Sequence, residues 1–347
     1  MKDPSSIYEF LKEKLKGVLP DFEITHKAQI ASKVLELKLE RHAVILGHAY
    51  MEPALYYSVC DFTGDSLELS RRAATTDAEV IVFCGVKFMA ETAKVLNPKK
   101  TVLLPSLRAG CSLAESIAPK ELEAIKARCR DVPVVSYINT YADIKALSDA
   151  CCTSSNAPKV VQAMNAPRVI FIPDAFLAAN TAKELGKKVA YAKKGVDGAI
   201  LFPDSDDWEI LGWQGSCEVH ERFEPQDVNN LRAQFPDVAV LAHPECKPQV
   251  TALCDFVGST SAMAAFVAKS LKARFALLTE CAMGENVQAA NPSKEIVRLC
   301  SIRCPHMNAV TLEATLQALQ ENRYEVEVAE PTREKALGAI QRMLEVG

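Results

Sequence analysis

The sequence lacks a long apolar run of the kind that crosses a membrane, and its first fifteen residues lack the continuous apolar core of a signal peptide. It also lacks an excess of positive charge, because 40 lysines and arginines stand against 44 aspartates and glutamates, for a net charge of −4. Phosphate-backbone binding needs a clustered positive field. We therefore expect a cytoplasmic protein that binds small molecules, with no nucleic-acid partner and no membrane partner.

Cysteine, in contrast, is abundant, with 12 residues among 347. A chain without an export signal is not expected to use them as a disulfide framework, because cytosolic thiols stay reduced. Apolar residues make up 49% of the chain and charged residues 24%, which is typical of a globular protein with a substantial core. The length is sufficient for two or three domains.

Three stretches of the sequence resemble one another, which indicates an internal repeat. In each stretch a short apolar strand ends in two polar residues with one residue between them: His48 and Tyr50, Tyr137 and Asn139, and His243 and Glu245. An aspartate follows the first polar residue after 12 or 13 positions, and a cysteine follows the aspartate. Asp61 to Cys111 spans 50 positions, Asp149 to Cys217 spans 68, and Asp255 to Cys304 spans 49. The second copy therefore carries an insertion.

The repeat predicts an α/β fold of three similar parallel-sheet α/β domains in a pseudo-threefold arrangement around a central active site. The first unit, 1–130, includes an N-terminal helical segment with a helix over 28–40. The second unit, 131–235, carries the insertion near 194–210, which is expected to form a surface loop or hairpin. The third unit, 236–347, ends in a strand over 324–328 and a helix over 332–344, for which packing on the first unit is one option. The alternative is one large doubly wound sheet.

The repeated polar residues are expected to share one site. Ligands bind beyond the carboxyl ends of parallel strands, and residues i and i+2 of a strand face the same way, so each polar pair would face the same space. Hydroxyl residues that precede helices would add O–H and free N–H groups suited to carboxylate or phosphate. These are Ser66, Thr153, Ser154, Ser155, Ser259, Thr260 and Ser261. His26, His42 and His306 have no repeated counterpart and are expected to be incidental.

Cys111, Cys217 and Cys304 each precede a helical pattern, one in each unit. The helix dipole at such a position is expected to lower the thiol pKa, so that the sulfur binds metal readily as a thiolate. A structural zinc site needs four protein ligands and has no open position. Ferredoxin clusters usually have four cysteines, two or three of them close in sequence. Three widely spaced cysteines instead fit a 4Fe-4S cluster with one open iron, a Lewis acid for a hydroxyl or carboxylate. Cys304 is preferred to Cys300 because Pro305 starts the helix after it.

From Arg41 to Leu344 the residues resemble the quinolinate synthase family. The motifs that carry the resemblance are Gly64-Asp65-Ser66-Leu67, the run from Cys84 to Ala93, Ala109-Gly110-Cys111, the run from Trp213 to His220, Ala242-His243-Pro244-Glu245, the run from Val257 to Ser261, and Cys304-Pro305-His306-Met307. Together these motifs are specific to the family, although no single one is.

The resemblance implies that the enzyme condenses iminoaspartate with dihydroxyacetone phosphate to quinolinate, with loss of phosphate and two waters, in the de novo synthesis of NAD. It also implies an oxygen-sensitive 4Fe-4S cluster held by Cys111, Cys217 and Cys304. The enzyme that supplies iminoaspartate, L-aspartate oxidase or dehydrogenase, is then a candidate partner.

By the same similarity, the substrate-binding residues are His48, Ser66, Tyr137, Asn139, Ser154, His220, His243, Glu245, Ser259 and Thr260. His48 and His243 are also expected to be catalytic. Glu245 is assigned as general base and Tyr50 as general acid/base or gate. His220 is expected one helical turn beyond Cys217, facing the cluster.

The chain departs from the family pattern in three places. Ala49 stands where many members have an aromatic residue or asparagine, the insertion in the second unit is long, and Cys300 alone accompanies Cys304 where many members have a close cysteine triplet. A redox switch is therefore not expected there. Two other functions stay open: another 4Fe-4S hydro-lyase with an open iron site, and a non-enzymatic metal-binding regulatory module.

Overall fold

The computed structural model describes residues 3–297 and 302–347. Two helices, α1 (Pro4–Lys14) and α2 (Asp21–Glu40), precede the first sheet. The helix predicted over 28–40 therefore begins earlier, directly after Pro20. Asp21 and Glu23 lie in its first turn, where negative side chains stabilise the positive end of the helix dipole.

The first sheet has the strand order β2-β1-β3-β4, and all its pairs are parallel. Its strands are β1 (Ala43–His48), β2 (Phe62–Gly64), β3 (Val80–Cys84) and β4 (Thr101–Leu103), and the helices that follow them are α3 (Pro53–Ser58), α4 (Ser66–Thr75), α5 (Lys87–Leu96), α6 (Ser112–Glu115) and α7 (Pro119–Arg128). Every residue of β3 is buried, as expected for a parallel strand with helices on both faces.

The second sheet has six strands in the order β6-β5-β7-β10-β8-β9. They are β5 (Val134–Tyr137), β6 (Ala150–Cys152), β7 (Val169–Ile172), β8 (Val189–Lys194), β9 (Ile200–Leu201) and β10 (Ile210–Trp213), with helices α8 (Ala142–Lys145), α9 (Ala157–Ala163) and α10 (Ala175–Leu185). The insertion contributes the antiparallel pairing of β9 with the end of β8. Gly198, with φ of +84°, lies in the turn between them, where glycine tolerates a left-handed conformation.

The third sheet repeats the order of the first, β12-β11-β13-β14. Its strands are β11 (Ala239–Ala242), β12 (Phe256–Val257), β13 (Arg274–Leu278) and β14 (Glu295–Val297), and the remaining helices are α11 (Pro225–Gln234), α12 (Pro248–Thr251), α13 (Thr260–Lys269), α14 (Cys281–Ala290), α15 (Leu312–Glu321) and α16 (Glu330–Val346). Three separate sheets, each flanked by helices, confirm the predicted α/β fold class. The alternative of one large doubly wound sheet is wrong.

Backbone and side-chain hydrogen bonds repeat in the three units. The recurrent aspartates, Asp61, Asp149 and Asp255, each accept a hydrogen bond from a backbone N–H of the first strand of their unit, at 2.8 to 2.9 Å. The first residues of α5, α10 and α14 each donate a backbone hydrogen bond to the carbonyl two positions before a repeated cysteine, with N···O distances of 2.7, 2.8 and 3.3 Å. The same bond therefore positions Cys111, Cys217 and Cys304.

The first helix of ten residues after each repeated cysteine packs on the next unit. Helix α7 packs on α8 and β9, α11 packs on α12, and α15 packs on α2 and β3. The boundaries predicted at 130/131 and 235/236 come after α7 and α11. Each of these helices, however, packs with the unit that follows it in the sequence. This exchange links the three units in a cycle.

The C-terminal region differs from the prediction in one element. Residues 324–328 form a single antiparallel bridge, between Leu103 and Glu325, rather than a strand. Helix α16 extends the helix predicted over 332–344 at both ends. It packs on α5 of the first unit and on β6, α8 and α9 of the second.

Among the described residues, no helix combines the length and the apolar character needed to cross a membrane.

Candidate active site

A cavity lies at the carboxyl ends of β1, β5 and β11, where the three repeated polar pairs meet. Thirteen residues predicted for the site line it: His48, Tyr50, Ser66, Cys111, Tyr137, Asn139, Ser154, Cys217, His220, His243, Glu245, Thr260 and Cys304. Ser259 is the exception among the residues that the family resemblance assigns to the site. Its hydroxyl caps α13, donates to the carboxylate of Asp65 at 3.1 Å, and lies in a neighbouring cleft. Of the other hydroxyl candidates, Thr153 lines the cavity, whereas Ser155 and Ser261 line neighbouring clefts.

Each unit contributes one cysteine to this cavity, and all three side chains are half-buried. Cys111 caps the four-residue helix α6, whereas Cys217 and Cys304 are followed by turns and short 3-10 helices, His220–Arg222 and Met307–Ala309. The predicted helical pattern after each cysteine is thus reduced to one turn or less. Helices this short supply backbone N–H groups but little summed dipole.

The expectation that helix ends lower the thiol pKa values is wrong for this structure. Burial raises the pKa of Cys111 to about 12 and that of Cys304 to about 11, and it raises the pKa of Cys217 as well. Backbone hydrogen bonds to each sulfur act in the opposite direction but are weaker. A thiolate at this place therefore needs the positive charge of a metal, which deprotonates a coordinating thiol outright.

His48 and His243 occupy equivalent positions and have the same backbone contact. The N–H of Tyr50 donates to Nδ1 of His48 at 3.2 Å, and the N–H of Glu245 donates to Nδ1 of His243 at 3.3 Å. Since Nδ1 accepts, each neutral ring carries its proton on Nε2. Burial lowers the pKa of His48 to about 4 and that of His243 to about 3, so both rings are neutral donors near pH 7. The Nε2–H of His243 donates to the Ser154 hydroxyl at 3.1 Å.

Glu245 is 2% exposed and is surrounded by hydrogen-bond donors from the second unit. Its carboxylate lies 2.6 Å from Nδ1 of His220 and accepts from Nδ2 of Asn139 at 3.3 Å, and the Tyr137 phenol also donates to it. Burial alone would raise the pKa of this carboxyl group, but His220, His243 and these hydrogen bonds outweigh burial and lower the pKa. Glu245 is therefore a carboxylate in this state.

A hydrogen-bonded chain connects Tyr50 to Glu245. The Tyr50 hydroxyl lies 2.5 Å from Oγ1 of Thr279, and Oγ1 of Thr279 lies 2.9 Å from Nε2 of His220. The other ring nitrogen of His220 contacts Glu245 and lies 3.3 Å from Sγ of Cys217. Burial raises the pKa of Tyr50 well above its ordinary value, so its phenol keeps its proton. His220 thus contacts Cys217, and it begins a 3-10 helix rather than lying one turn along an α-helix.

Three buried polar atoms of the cavity wall have no hydrogen-bond partner in the described part of the chain: Oδ1 of Asn139, Oγ1 of Thr260 and Oε1 of Glu218. The last of these lies 3.2 Å from Nε2 of His306, whereas no described residue forms an ion pair with either of the other two. Ser66 and Thr260 are the first residues of α4 and α13, where free backbone N–H groups and the helix dipole favour an anion. Because unpaired buried polar atoms are costly, these positions are suited to the polar groups of a ligand.

Sequence reasoning missed Thr279, Asp65 and the position of His306. Thr279 lies in the repeated strand-to-helix element, but no hydroxyl residue recurs at that place in the other two copies. Asp65 caps α4 and lines the cavity. His306, expected to be incidental, lines the cavity and lies 3.2 Å from a carboxylate oxygen of Glu218.

Other cysteines lie apart from this group. Cys246 is buried and its thiol donates to the Leu278 carbonyl at 3.4 Å. Cys300 lies outside the described residues.

A second donor set overlaps the cysteines. Sγ of Cys217, a ring nitrogen of His220 and a carboxylate oxygen of Glu245 lie within 4.8 Å of one another, a grouping that could hold a metal ion. The short contact between His220 and Glu245 competes with this use, because a metal on that nitrogen would require the hydrogen bond to break.

Comparison with known proteins identifies relatives over nearly the whole chain. The model of the family described as Quinolinate synthetase A protein matches residues 32–345. The chain is 45% identical over 337 residues to Quinolinate synthase 2 of Mesorhizobium japonicum, with 97% of each chain covered. It is 47% identical over 334 residues to Quinolinate synthase 1 of the same organism, with 96% of each covered. It is also 46% identical over 313 residues to Quinolinate synthase of Xylella fastidiosa, covering 90% of this chain and 86% of that one.

The span that matches the family model begins within α2 and ends within α16, so the positions of the three repeated cysteines and of the three polar pairs lie inside it. The matches confirm the resemblance drawn from the motifs. The chain belongs to the quinolinate synthetase A family.

Proposed function

We propose that this chain is a quinolinate synthase, which condenses iminoaspartate with dihydroxyacetone phosphate and releases phosphate, two waters and quinolinate for NAD synthesis. The observation that carries the proposal is the meeting of one cysteine from each unit with Tyr50, His220 and Glu245 at a single cavity. The names of the relatives support the same reaction.

The donor set fits a 4Fe-4S cluster with three protein ligands. Cys111, Cys217 and Cys304 would hold it, and no fourth cysteine lines the cavity within residues 3–297 and 302–347. Their raised thiol pKa values fit ligands that are deprotonated only when metal is present. When bound, such a cluster supplies a Lewis-acidic iron that can polarise a hydroxyl or carboxylate of the substrate.

The chain's own residues would bind the two substrates through their anionic groups. Ser66 and Thr260 begin helices and would offer hydroxyl and backbone N–H donors to phosphate or carboxylate. The neutral Nε2–H of His48 would donate to a further oxygen, and that of His243 would do so in exchange for its bond to Ser154. The unpaired Thr260 hydroxyl would donate to such an anionic group, whereas the unpaired Oδ1 of Asn139 would accept from an N–H or O–H group of the substrate.

Loss of water requires one group that gives a proton to the leaving hydroxyl and another that removes a proton from carbon. We assign the first role to Tyr50, whose phenol stays protonated and is connected through Thr279 to His220. We assign the second role to Glu245. A carboxylate with a depressed pKa is a weak base, so substrate that takes over the donors Tyr137 and Asn139 would increase its basicity.

The setting of the reaction is part of the proposal. Cluster ligands must stay reduced, which favours the cytoplasm. Iminoaspartate is unstable, so L-aspartate oxidase or dehydrogenase, whichever produces it, is the proposed partner.

The decisive experiment is incubation of the anaerobically prepared protein with iminoaspartate and dihydroxyacetone phosphate, followed by detection of quinolinate. We expect quinolinate from the wild type and none from Cys217→Ser. A protein that contains the cluster but forms no quinolinate, and that dehydrates a different hydroxy acid, would be another hydro-lyase. One zinc per chain without iron would overturn the proposal and favour a regulatory metal module.

A further inference from the structure

Two asparagines occupy the same place in different units and make the same contact across a unit boundary. Nδ2 of Asn286, on α14, donates to the carbonyls of Ala49 and Met51 at 3.0 and 2.9 Å. Nδ2 of Asn180, on α10, donates to the carbonyls of Pro244 and Cys246 at 2.7 and 2.9 Å. Each amide group therefore uses both of its N–H donors on one short loop.

The equivalence of the two positions is exact in the repeat. Asn180 lies five residues after Ala175, the first residue of α10, and Asn286 lies five residues after Cys281, the first residue of α14. Each loop follows the first strand of the neighbouring unit. The accepting carbonyls belong to the residues immediately before and after Tyr50 in one loop, and immediately before and after Glu245 in the other.

The third boundary uses different residues. At the matching position of α5 stands Thr92, whose hydroxyl bonds to the Phe88 carbonyl within its own helix. The loop after β5 is held instead by Lys145, whose ammonium group donates to the Thr140 carbonyl, and by Glu91, which accepts from the N–H of Ala142 at 2.8 Å. The polar residue in that loop is Asn139, to which no proton-transfer role has been assigned.

We propose that Asn180 and Asn286 are positioning residues for the reaction, each fixing the backbone on both sides of an acid/base side chain contributed by another unit. This role rests on the proposed function, because positioning the two loops affects the reaction only if Tyr50 and Glu245 act as its acid and base. Both loops are short, and the amide groups hold carbonyls that would otherwise lack these partners. Relaxation of either loop would move the side chain between them.

The side-chain amides themselves differ in their support. Oδ1 of Asn180 accepts from the Thr251 hydroxyl at 2.9 Å, so this amide is oriented by the unit whose loop it holds. Asn286 is 5% exposed, and its backbone carbonyl accepts from the Tyr57 hydroxyl at 2.6 Å. Oδ1 of Asn286 has no hydrogen-bond partner in the described part of the chain, so its amide is oriented by the two loop carbonyls, whereas the amide of Asn180 has a third partner.

The test replaces each asparagine with aspartate in the cluster-containing enzyme. Aspartate has the same shape but no N–H donors when ionised. We expect kcat for quinolinate formation to fall roughly ten- to a hundredfold, the cost of a small displacement of reacting groups, while KM and the iron content change little. Asn230→Asp, on the exposed face of α11, is the matched control and should keep wild-type kcat.

Hydrogen–deuterium exchange of the same proteins reports on the loops independently of catalysis. The amides of Met51 and Cys246 bond to carbonyls within their loops, and we expect exchange at Met51 in Asn286→Asp, and at Cys246 in Asn180→Asp, to be faster by about tenfold, the factor for one typical hydrogen bond. Asn180→Ala and Asn286→Ala serve the same purpose if an aspartate variant does not fold.

The outcomes separate the two proposals. Unchanged kcat and unchanged exchange in both pairs of variants would overturn the positioning role, as would a loss of thermal stability with unchanged kcat. If the wild-type protein forms no quinolinate and the aspartate variants still show faster loop exchange, the proposed function is overturned and the structural contact itself is established.

Discussion

The boundary between the first and second units is built differently from the two boundaries of the third unit. Helix α16 lies across the first boundary, in contact with α5 on one side and with β6, α8 and α9 on the other. The third unit's boundaries are open clefts. One is lined by residues of α9, α10 and α13, and the other by residues of α3, α13 and α14.

The apolar cores follow the same division. Residues of the first sheet, the second sheet and α16 belong to one continuous cluster, which includes Val82, Phe171 and Ile340. The third sheet packs within two clusters of its own, one on each face, represented by Val240 and Phe275. A shared core stabilises the relative position of the first two units. The third sheet lies outside that cluster, and its unit reaches it through Ala289 of α14 and through the segment that ends in α15.

Both open clefts reach the central cavity. Ser154 lines the cavity and the cleft between the second and third units, and Thr260 lines the cavity and the cleft between the first and third. Since elements with few buried apolar contacts open at the lowest free energy, we expect the third unit to be the part that moves when substrate enters. The asparagine contacts cross these same two boundaries.

The largest expected effect is a loss of activity when Glu245, which the third unit contributes to the cavity, is changed. Glu245→Gln keeps the shape of the side chain but removes its negative charge, and with it the proposed base. We expect kcat to fall by about 10²- to 10⁴-fold, with iron content unchanged. Quinolinate formation measured under anaerobic conditions checks this, and a variant with more than a tenth of wild-type activity would show that the third unit does not supply the base.

A second change weakens the closed boundary. Ile340 on α16 is 0% exposed, so Ile340→Ala leaves a cavity between the first two units and should lower the free energy of unfolding by about 2–5 kcal/mol. Denaturant titration measures the loss. A cost below about 1 kcal/mol would mean that α16 does not seal this boundary.

Acidification should loosen an open boundary through His243, which bonds to Ser154 of the second unit. Burial holds the pKa of His243 at about 3, below the value of about 6.5 in an unfolded chain, so the unfolded state binds the proton first. Stability is therefore retained above pH 6.5 and falls as the pH drops below it, by about 2 kcal/mol at pH 5.

Unfolding measured at pH 7 and pH 5 checks this slope. His243→Gln should reduce the difference in the free energy of unfolding between pH 7 and pH 5 by about 2 kcal/mol. His26→Gln, which changes an exposed residue, should leave that difference as in the wild type. Equal slopes in all three proteins would contradict the assignment.

The smallest effect is expected within an open cleft. Val257 lines the cleft between the second and third units and is 38% exposed. Val257→Ala should change the free energy of unfolding by less than about 1 kcal/mol, because the side chain is only partly buried. A cost equal to that of Ile340→Ala would remove the distinction between open and closed boundaries.

The repeat in the sequence predicted the architecture because its spacing is set by structure. The aspartates recur since each bonds to a backbone N–H of the first strand in its unit, and the polar pairs recur since strand ends face the centre. Exchange of helices between units could not be predicted, because α7, α11 and α15 have ordinary amphipathic patterns that do not specify a partner sheet.

The candidate site was predictable where it repeats and less so where it does not. The three cysteines and the polar pairs are brought together at one cavity. Thr279 was missed because a lone threonine after a strand has no distinguishing pattern. The thiol pKa direction was wrong because the sequence reveals a nearby helix start but not the depth at which the sulfur is buried.

The most direct test of the account is the iron and sulfide content of single cysteine variants after anaerobic reconstitution. We predict about four irons and four sulfides per chain in the wild type, and in Cys246→Ser and Cys300→Ser, with loss of the cluster in Cys111→Ser, Cys217→Ser and Cys304→Ser. A full cluster in any one of the last three, or its loss in a control, would contradict the claim that one thiolate from each unit holds it.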